Sequence, residues 1–191
     1  MFSGALIYLV ETVCGLFVVT LLLRFYLQWA RAPFRNPLSE FLHAMTDFMV
    51  RPARRVIPGL WGLDLATLVL AWLVQLIEIF VVLQLRGYQA NADAGQAFAA
   101  LTLLALVTLV KIGLYVILVA VIIQALLSWF VPHGAPMALL NSLTRPFLRV
   151  FQKRIPPVGN VDLSPLFLFV VIQLLLMLPV AWAETMLARL L

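Results

Sequence analysis

The sequence predicts an all-α integral membrane protein: four transmembrane helices arranged as two parallel two-span repeats, each with a cytoplasmic amphipathic helix. Three observations predict it. The 191 residues are 64% hydrophobic and 11% charged, with a mean hydropathy of +1.08, whereas a soluble domain is nearer half apolar and a quarter charged. The apolar residues gather into runs that match the ~20 residues a helix needs to cross ~30 Å of hydrocarbon. The charge is placed rather than scattered, since nine of the 13 Lys and Arg residues fall in two segments between those runs.

The first run is Gly4 to Trp29, with Glu11 near its start and Arg24 near its end. It lacks a basic n-region and a small-residue cleavage site, so it reads as a retained span rather than a signal peptide. The second is Leu63 to Leu85, carrying Glu78, and the fourth is Leu163 to Leu187, with Pro179 and Glu184. Between them lies Phe98 to Phe130, 33 residues interrupted by Lys111, roughly 50 Å if helical throughout and too long for one perpendicular crossing. Charge arbitrates its division. Arg31, Arg35, Arg51, Arg54 and Arg55 follow the first span, and Arg145, Arg149, Lys153 and Arg154 precede the last. The positive-inside rule puts both segments in the cytoplasm, which requires an even number of crossings between them and leaves both termini outside. The third span is therefore placed at Lys111 to Phe130, with Phe98 to Val110 as a membrane-associated lead-in.

The two basic segments also carry helical patterning. After Asn36, an N-cap followed by Pro37 at the first helical position, apolar residues fall at Leu38, Phe41, Leu42, Met45, Phe48 and Met49. After Pro136 they fall at Leu139, Leu140, Leu143, Phe147, Leu148 and Phe151. Both segments read as amphipathic helices in the inner-leaflet interface, their arginines at anionic headgroups. Asp64 and Asp162 precede the next span of each unit, where an aspartate caps a helix and meets its positive end. Alternatively, each carboxylate fixes the basic cluster ten residues before it by salt bridging.

Sliding the chain against itself by 98 positions aligns Thr46 with Thr144, Arg51 with Arg149, Pro58 with Pro156, Asp64 with Asp162 and Gln75 with Gln173. Small shifts upstream align Trp29 with Trp129 and Glu11 with Lys111. The chain is thus a tandem duplication, divided into residues 1–90 and 91–191. Each unit holds an even number of crossings, so the units point the same way and pack about an axis along the membrane normal.

Arg54 to Leu65 reads Arg-Arg-Val-Ile-Pro-Gly-Leu-Trp-Gly-Leu-Asp-Leu. Its counterparts are Leu-Thr-Arg-Pro-Phe-Leu-Arg from Leu143, Ile-Pro-Pro-Val-Gly-Asn-Val-Asp-Leu-Ser-Pro ending at Pro165, and Leu-Ser-Trp-Phe from Leu127. With Asn36-Pro37, these segments resemble the YggT (YlmG) family of bacterial and plastid membrane proteins over nearly the whole chain. Local departures are Ala135-Pro136, Gly159-Asn160 and Ala66-Thr67. The resemblance implies a place in membrane-linked assembly and cell-envelope processes, including division or nucleoid organisation, osmotic tolerance and, in plastids, maturation of a cytochrome. It implies no catalytic residues.

Ionisable groups within spans are costly and invite functional readings. Arg24 is expected to snorkel at the cytoplasmic interface and Glu184 to lie within two turns of the outer face. Glu11 and Lys111, matched in position and opposite in charge, are expected to pair across the pseudo-symmetry axis. Glu78 with Gln75 and Gln173 is expected to form a polar seam, as helix-packing glue or as an ion path.

Enzymatic readings find no support. His43 and His133 lie outside the spans and are not repeat-equivalent, so a bis-histidine haem has no ligands. The lone Cys14 excludes an intrachain disulfide and reads as a small core residue. No nucleotide, esterase or metalloprotease motif occurs. The expected function is a non-enzymatic assembly or scaffold protein of the bacterial inner membrane, without cofactor or metal. The basic clusters Arg51, Arg54, Arg55 and Arg149, Lys153, Arg154 act either as topology anchors or as a docking surface for anionic lipid or an unidentified membrane or cytoplasmic protein. They are too short, and lack the interleaved aromatics, for nucleic acid. The alternative is a small homo-oligomeric transporter or channel linked to osmotic or ion tolerance, with Glu11, Gln75, Glu78, Lys111 and Gln173 along its path.

Overall fold

The structure, a computed structural model, describes residues 2–32, 36–59, 63–88, 93–130, 134–154 and 162–191. Arg35, His133, residues 60–62 and residues 155–161, which enter the motifs above, lie outside them. The elements are α1 (Phe2–Trp29), α2 (Pro37–Val56), α3 (Leu65–Leu85), α4 (Ala94–Phe130), α5 (Ala135–Gln152), α6 (Ser164–Leu175), a π-helical turn (Leu176–Val180) and α7 (Ala181–Leu190). Among the described residues four helical stretches are long and apolar enough to cross a membrane: Ser3–Trp29, Leu65–Leu85, Ala94–Ser128 and Ser164–Leu190. The π turn sits at Pro179. Proline has no N–H to donate and its ring crowds the carbonyl four residues back, and the wider turn accommodates both.

The third span differs from expectation. The 37 residues of α4 form one uninterrupted helix, about 55 Å long, so residues 98–110 are not a separate lead-in. Packing explains the continuity. Ala97 and Ala100, one helical turn apart and buried, meet Leu83 at the end of α3 and Leu191 at the chain's end. Small residues let helices approach closely where water is absent. Farther along, the Trp72 indole N–H donates to the Thr102 carbonyl at 3.3 Å, and Leu109 joins the core of α1, α2 and α3 built on Val18, Leu21, Val50, Leu70 and Val74. The second half of α4 belongs to the other core, where Leu118 and Val121 meet Leu148 of α5 and Leu168 and Ile172 of α6. A helix longer than the bilayer is accommodated by tilt. One rod therefore serves both repeats.

α2 and α5 lie at the same end of the bundle. Leu27 and Ala32 at the end of α1, Leu42 of α2 and Leu143 of α5 form one buried cluster. The Tyr26 hydroxyl donates to the backbone carbonyl of Leu143, and the rings of Tyr26 and Trp29 pack on Phe147. The first repeat's opening span is thereby fastened to the second repeat's α5. The apolar side of α2 is split: Leu42, Thr46 and Val50 are buried, while Phe41, Met45 and Phe48 remain exposed beside them.

α1 and α3 end alike. In α1 the N–H of Ala32 reaches the Leu27 carbonyl and that of Arg31 reaches Gln28; in α3, Tyr88 reaches Leu83 and Gly87 reaches Gln84. These are Schellman ends, whose penultimate residue takes a left-handed conformation. Glycine supplies it in α3, with φ 73°, but α1 uses Arg31 at φ 50°.

Candidate functional site

Three polar contacts, each made twice, tie the helices together, two of them at the charged end of the bundle. The first joins the opening span to the amphipathic helix. Arg24 of α1 is 4% exposed, so it does not snorkel. Instead its Nη1 donates to the Thr46 hydroxyl at 2.7 Å and the Asp47 carboxylate at 2.8 Å, both on α2. Asp47 also holds Arg51, one turn on, at 2.7 Å. Burial alone would raise the Asp47 carboxyl, but bonds from Arg24 and Arg51 outweigh it and hold the group below its ordinary value. The position of Arg24 in the second repeat is Gln124, whose Nε2 donates to Asn141 of α5 at 2.7 Å.

The second contact joins the amphipathic helix to the following span. Asn36 caps α2 as expected, its side chain accepting from the Ser39 N–H at 2.8 Å. Asp64 stands at the N-cap position of α3 without capping its backbone. Its carboxylate is taken by Arg54, whose Nε lies 3.0 Å away, and by the Thr67 hydroxyl. Of the two roles open to Asp64, salt bridging prevails, and a guanidinium outcompetes a neutral amide for a carboxylate. Burial raises the Asp64 carboxyl less than Arg54 and Thr67 lower it, so it stays below the usual range. In the second repeat Gln152 replaces Arg54. It donates to Asp162 at 2.9 Å, and Asp162 accepts the Ser164 N–H at 2.9 Å, a local cap.

The third contact lies toward the other end. Glu11 and Lys111 do not pair. Glu11 meets Arg86 at the end of α3, at 3.2 Å, and Lys111 meets Glu184 of α7 at 2.8 and 2.9 Å. Arg86 and Glu184 are themselves 98 positions apart, so the two pairs are one duplicated contact with its charges reversed. Each ion is satisfied by the other span of its own repeat, which removes any drive to pair across the axis.

Of the seam residues, Gln75 is 2% exposed and lies one turn from Glu78, with Gln75 Oε1 and Glu78 Oε2 buried and unpartnered. Gln173 is exposed on α6, so the seam does not run between repeats.

The two basic clusters consequently differ. Arg51 and Arg54 are engaged by Asp47 and Asp64, leaving Arg55 exposed. In the second repeat Asp47 is replaced by Arg145, and Arg145, Arg149 and Lys153 recur every four residues along an exposed stripe, with Arg154 beside it. None of these four forms an ion pair among the described residues. α4 and α6 also splay here, opening a groove of about 720 Å³ lined by Gln124, Ser128, Leu148, Asp162 and Phe169 among others, within the ~300–1,000 Å³ usual for ligand sites. Sequence reasoning misread Arg24 as interfacial and passed over Asp47, Gln124 and Gln152 as site residues. The 98-residue shift already carried the signal for Gln152, since it aligns with Arg54 just as Asp162 aligns with Asp64.

Duplicated pairs of spans, each clasped to a basic helix at one end, define a polytopic helical membrane protein of two-repeat construction. The family described as CCB3/YggT matches twice, over residues 3–85 and 103–183, and the chain belongs to that family. It is 39% identical over 178 residues to an uncharacterized protein of Pseudomonas aeruginosa, covering 92% of this chain and 88% of that one. It is 31% identical over 174 residues to the uncharacterized protein YggT of Escherichia coli K12, covering 90% and 87%. A shorter stretch of 55 residues, 27% of this chain and 21% of the relative, is 38% identical to YlmG homolog protein 2, chloroplastic, of Arabidopsis thaliana. No solved structure matches significantly.

Proposed function

We propose that this protein is a non-enzymatic assembly or scaffold protein of the bacterial inner membrane, which presents the basic face of α5 to an acidic partner in the cytoplasm. The observation that carries this reading is the stripe of Arg145, Arg149 and Lys153 with Arg154, unpaired among the described residues and beside an apolar groove, where the first repeat pairs Arg51 and Arg54 with internal carboxylates and leaves Arg55 exposed. A cationic face free of internal partners steers and selects an oppositely charged surface. The basic helices face the cytoplasm and both termini lie outside, the orientation that the positive-inside rule favours. Among the described residues Gln173 is exposed on α6 while Gln75 is buried in α3, which weighs against a shared polar path.

The test is site-specific cross-linking in native membranes, with a photoreactive residue at the exposed Val150. A discrete cross-linked protein that disappears in the Arg149→Glu/Lys153→Glu variant is expected. A cross-linking pattern indifferent to that reversal removes the reading. Flux through liposomes of the purified chain, abolished by Glu78→Ala, would favour a transporter instead.

A further inference from the structure

Arg24 carries more than the first clasp. Both of its hydrogen bonds among the described residues leave from Nη1, and its Nε is buried without an acceptor. Nε and Nη2 form the guanidinium edge that grips two oxygens of an oxyanion in fork fashion. That residue borders a pocket of about 280 Å³ between α1 and α2, lined also by Gln28, Ser39, His43 and Arg54, just under the ~300 Å³ lower end of small-ligand sites. Ser39 is itself buried. The ion pairs around it set Arg24, Arg51 and Arg54 against Asp47 and Asp64, three cations to two carboxylates, and His43 Nδ1 lies 3.5 Å from Asp47. A guanidinium edge whose Nε lacks an acceptor, a cavity lined by both polar and apolar side chains, and a majority of cations describe a receptor for a single anionic group. The pocket's depth narrows the choice, because Arg24 lies five residues before the end of a membrane-spanning helix, where lipid phosphates are found.

We infer that the pocket between α1 and α2 binds a phosphate group, held by the free edge of Arg24 with Arg54 and His43 at its rim. An anionic phospholipid headgroup and free phosphate share this chemistry. The site is distinct from the α5 surface, and either can fail without the other.

The full chain in phosphatidylcholine nanodiscs doped with phosphatidylglycerol is the system to use, with bound lipid counted by native mass spectrometry and inorganic phosphate added as competitor. Selective retention of one phosphatidylglycerol, unaffected by millimolar phosphate, is expected and assigns a lipid. Displacement by phosphate supports the site but assigns the soluble anion. Arg24→Lys keeps a cation within reach of Thr46 and Asp47 and removes the fork, so affinity is expected to fall about tenfold, the equivalent of one charge-assisted hydrogen bond. His43→Phe, which narrows the rim without touching Arg24, guards against misfolding of the lysine variant and is expected to lower retention too. If neither phosphatidylglycerol nor phosphate binds selectively, or if folded Arg24→Lys and His43→Phe retain wild-type binding, the inference is overturned.

Discussion

The two repeats make the same three contacts with different chemistry. In the first repeat, Arg24 with Asp47 and Arg54 with Asp64 tie α2 to both spans by ions. In the second, Gln124 with Asn141 and Gln152 with Asp162 tie α5 by amides. Geometry is thus inherited from the duplication while charge is free to diverge. The ionic clasp engages Arg24, Arg51 and Arg54, whereas Arg149, the counterpart of Arg51, is unpaired among the described residues. Rigidity and availability of charge have been divided between the halves.

The widest predicted difference is at the first clasp. Asp47→Ala leaves the buried Arg24 without its carboxylate and should cost about 3 kcal/mol, the low end for breaking a buried pair because Thr46 still accepts. Asn141→Ala removes only a neutral acceptor and should cost about 1 kcal/mol. Unfolding of the purified chain in detergent measures both, and equal losses would dissolve the contrast between ionic and amide clasps.

Next comes acid sensitivity. Asp47 and Asp64 are lowered below their ordinary value of 3.8. A carboxyl lowered on folding contributes stability above its unfolded value, and that contribution is lost as pH falls through the folded value. Stability should therefore decline below about pH 4, and Asp64→Asn should remove roughly 1 kcal/mol at neutral pH, discounted because Arg54 is half exposed. Burial raises the Asp162 carboxyl less than Ser164 and Gln152 lower it, but it holds no cation among the described residues. Asp162→Asn should thus leave salt dependence unchanged where Asp64→Asn reduces it.

The charge-reversed pairs provide a smaller test. Lys111 and Glu184 are 35% and 24% exposed, against 60% and 43% for Arg86 and Glu11. Lys111→Gln should cost up to about 1 kcal/mol and Arg86→Gln a few tenths, the range of exposed pairs. The double swap Glu11→Arg/Arg86→Glu should recover what either single reversal loses. Smallest of all, Arg31→Gly should stabilise the first repeat by a few tenths of a kcal/mol, while Gly87→Ala should cost about 1 kcal/mol, since only glycine adopts that turn without strain.

Much of this architecture was legible in the sequence, for physical reasons. Four spans follow from hydropathy, and the duplication from a shift that keeps Asp64 and Asp162 in register. The start of α2 follows from Asn36-Pro37. The residual errors share a cause, which is that periodicity reports a residue's own helix and not what returns to meet it. Arg24 reads as interfacial until α2 brings back Thr46 and Asp47. Ala97 and Ala100 read as surplus length until α3 supplies the surface they pack on. Glu11 and Lys111 invite pairing because their charges oppose, yet carrying the 98-residue shift onward from Gln75 to Arg86 lands on Glu184 and names the true partners.

The reversed pair also bears on mutational history. An exchange of charges must pass through a chain with one ion unmatched or two like ions opposed. At Glu11 and Arg86, 43% and 60% exposed, that intermediate buries less charge and costs less, so drift carries it more readily. At Arg24 the same passage would strand a charge that is 4% exposed, at about 3 kcal/mol or more. The rim pairs are therefore freer to change sign, whereas the Arg24 clasp is replaced by giving up the buried cation, as Gln124 at the counterpart position records.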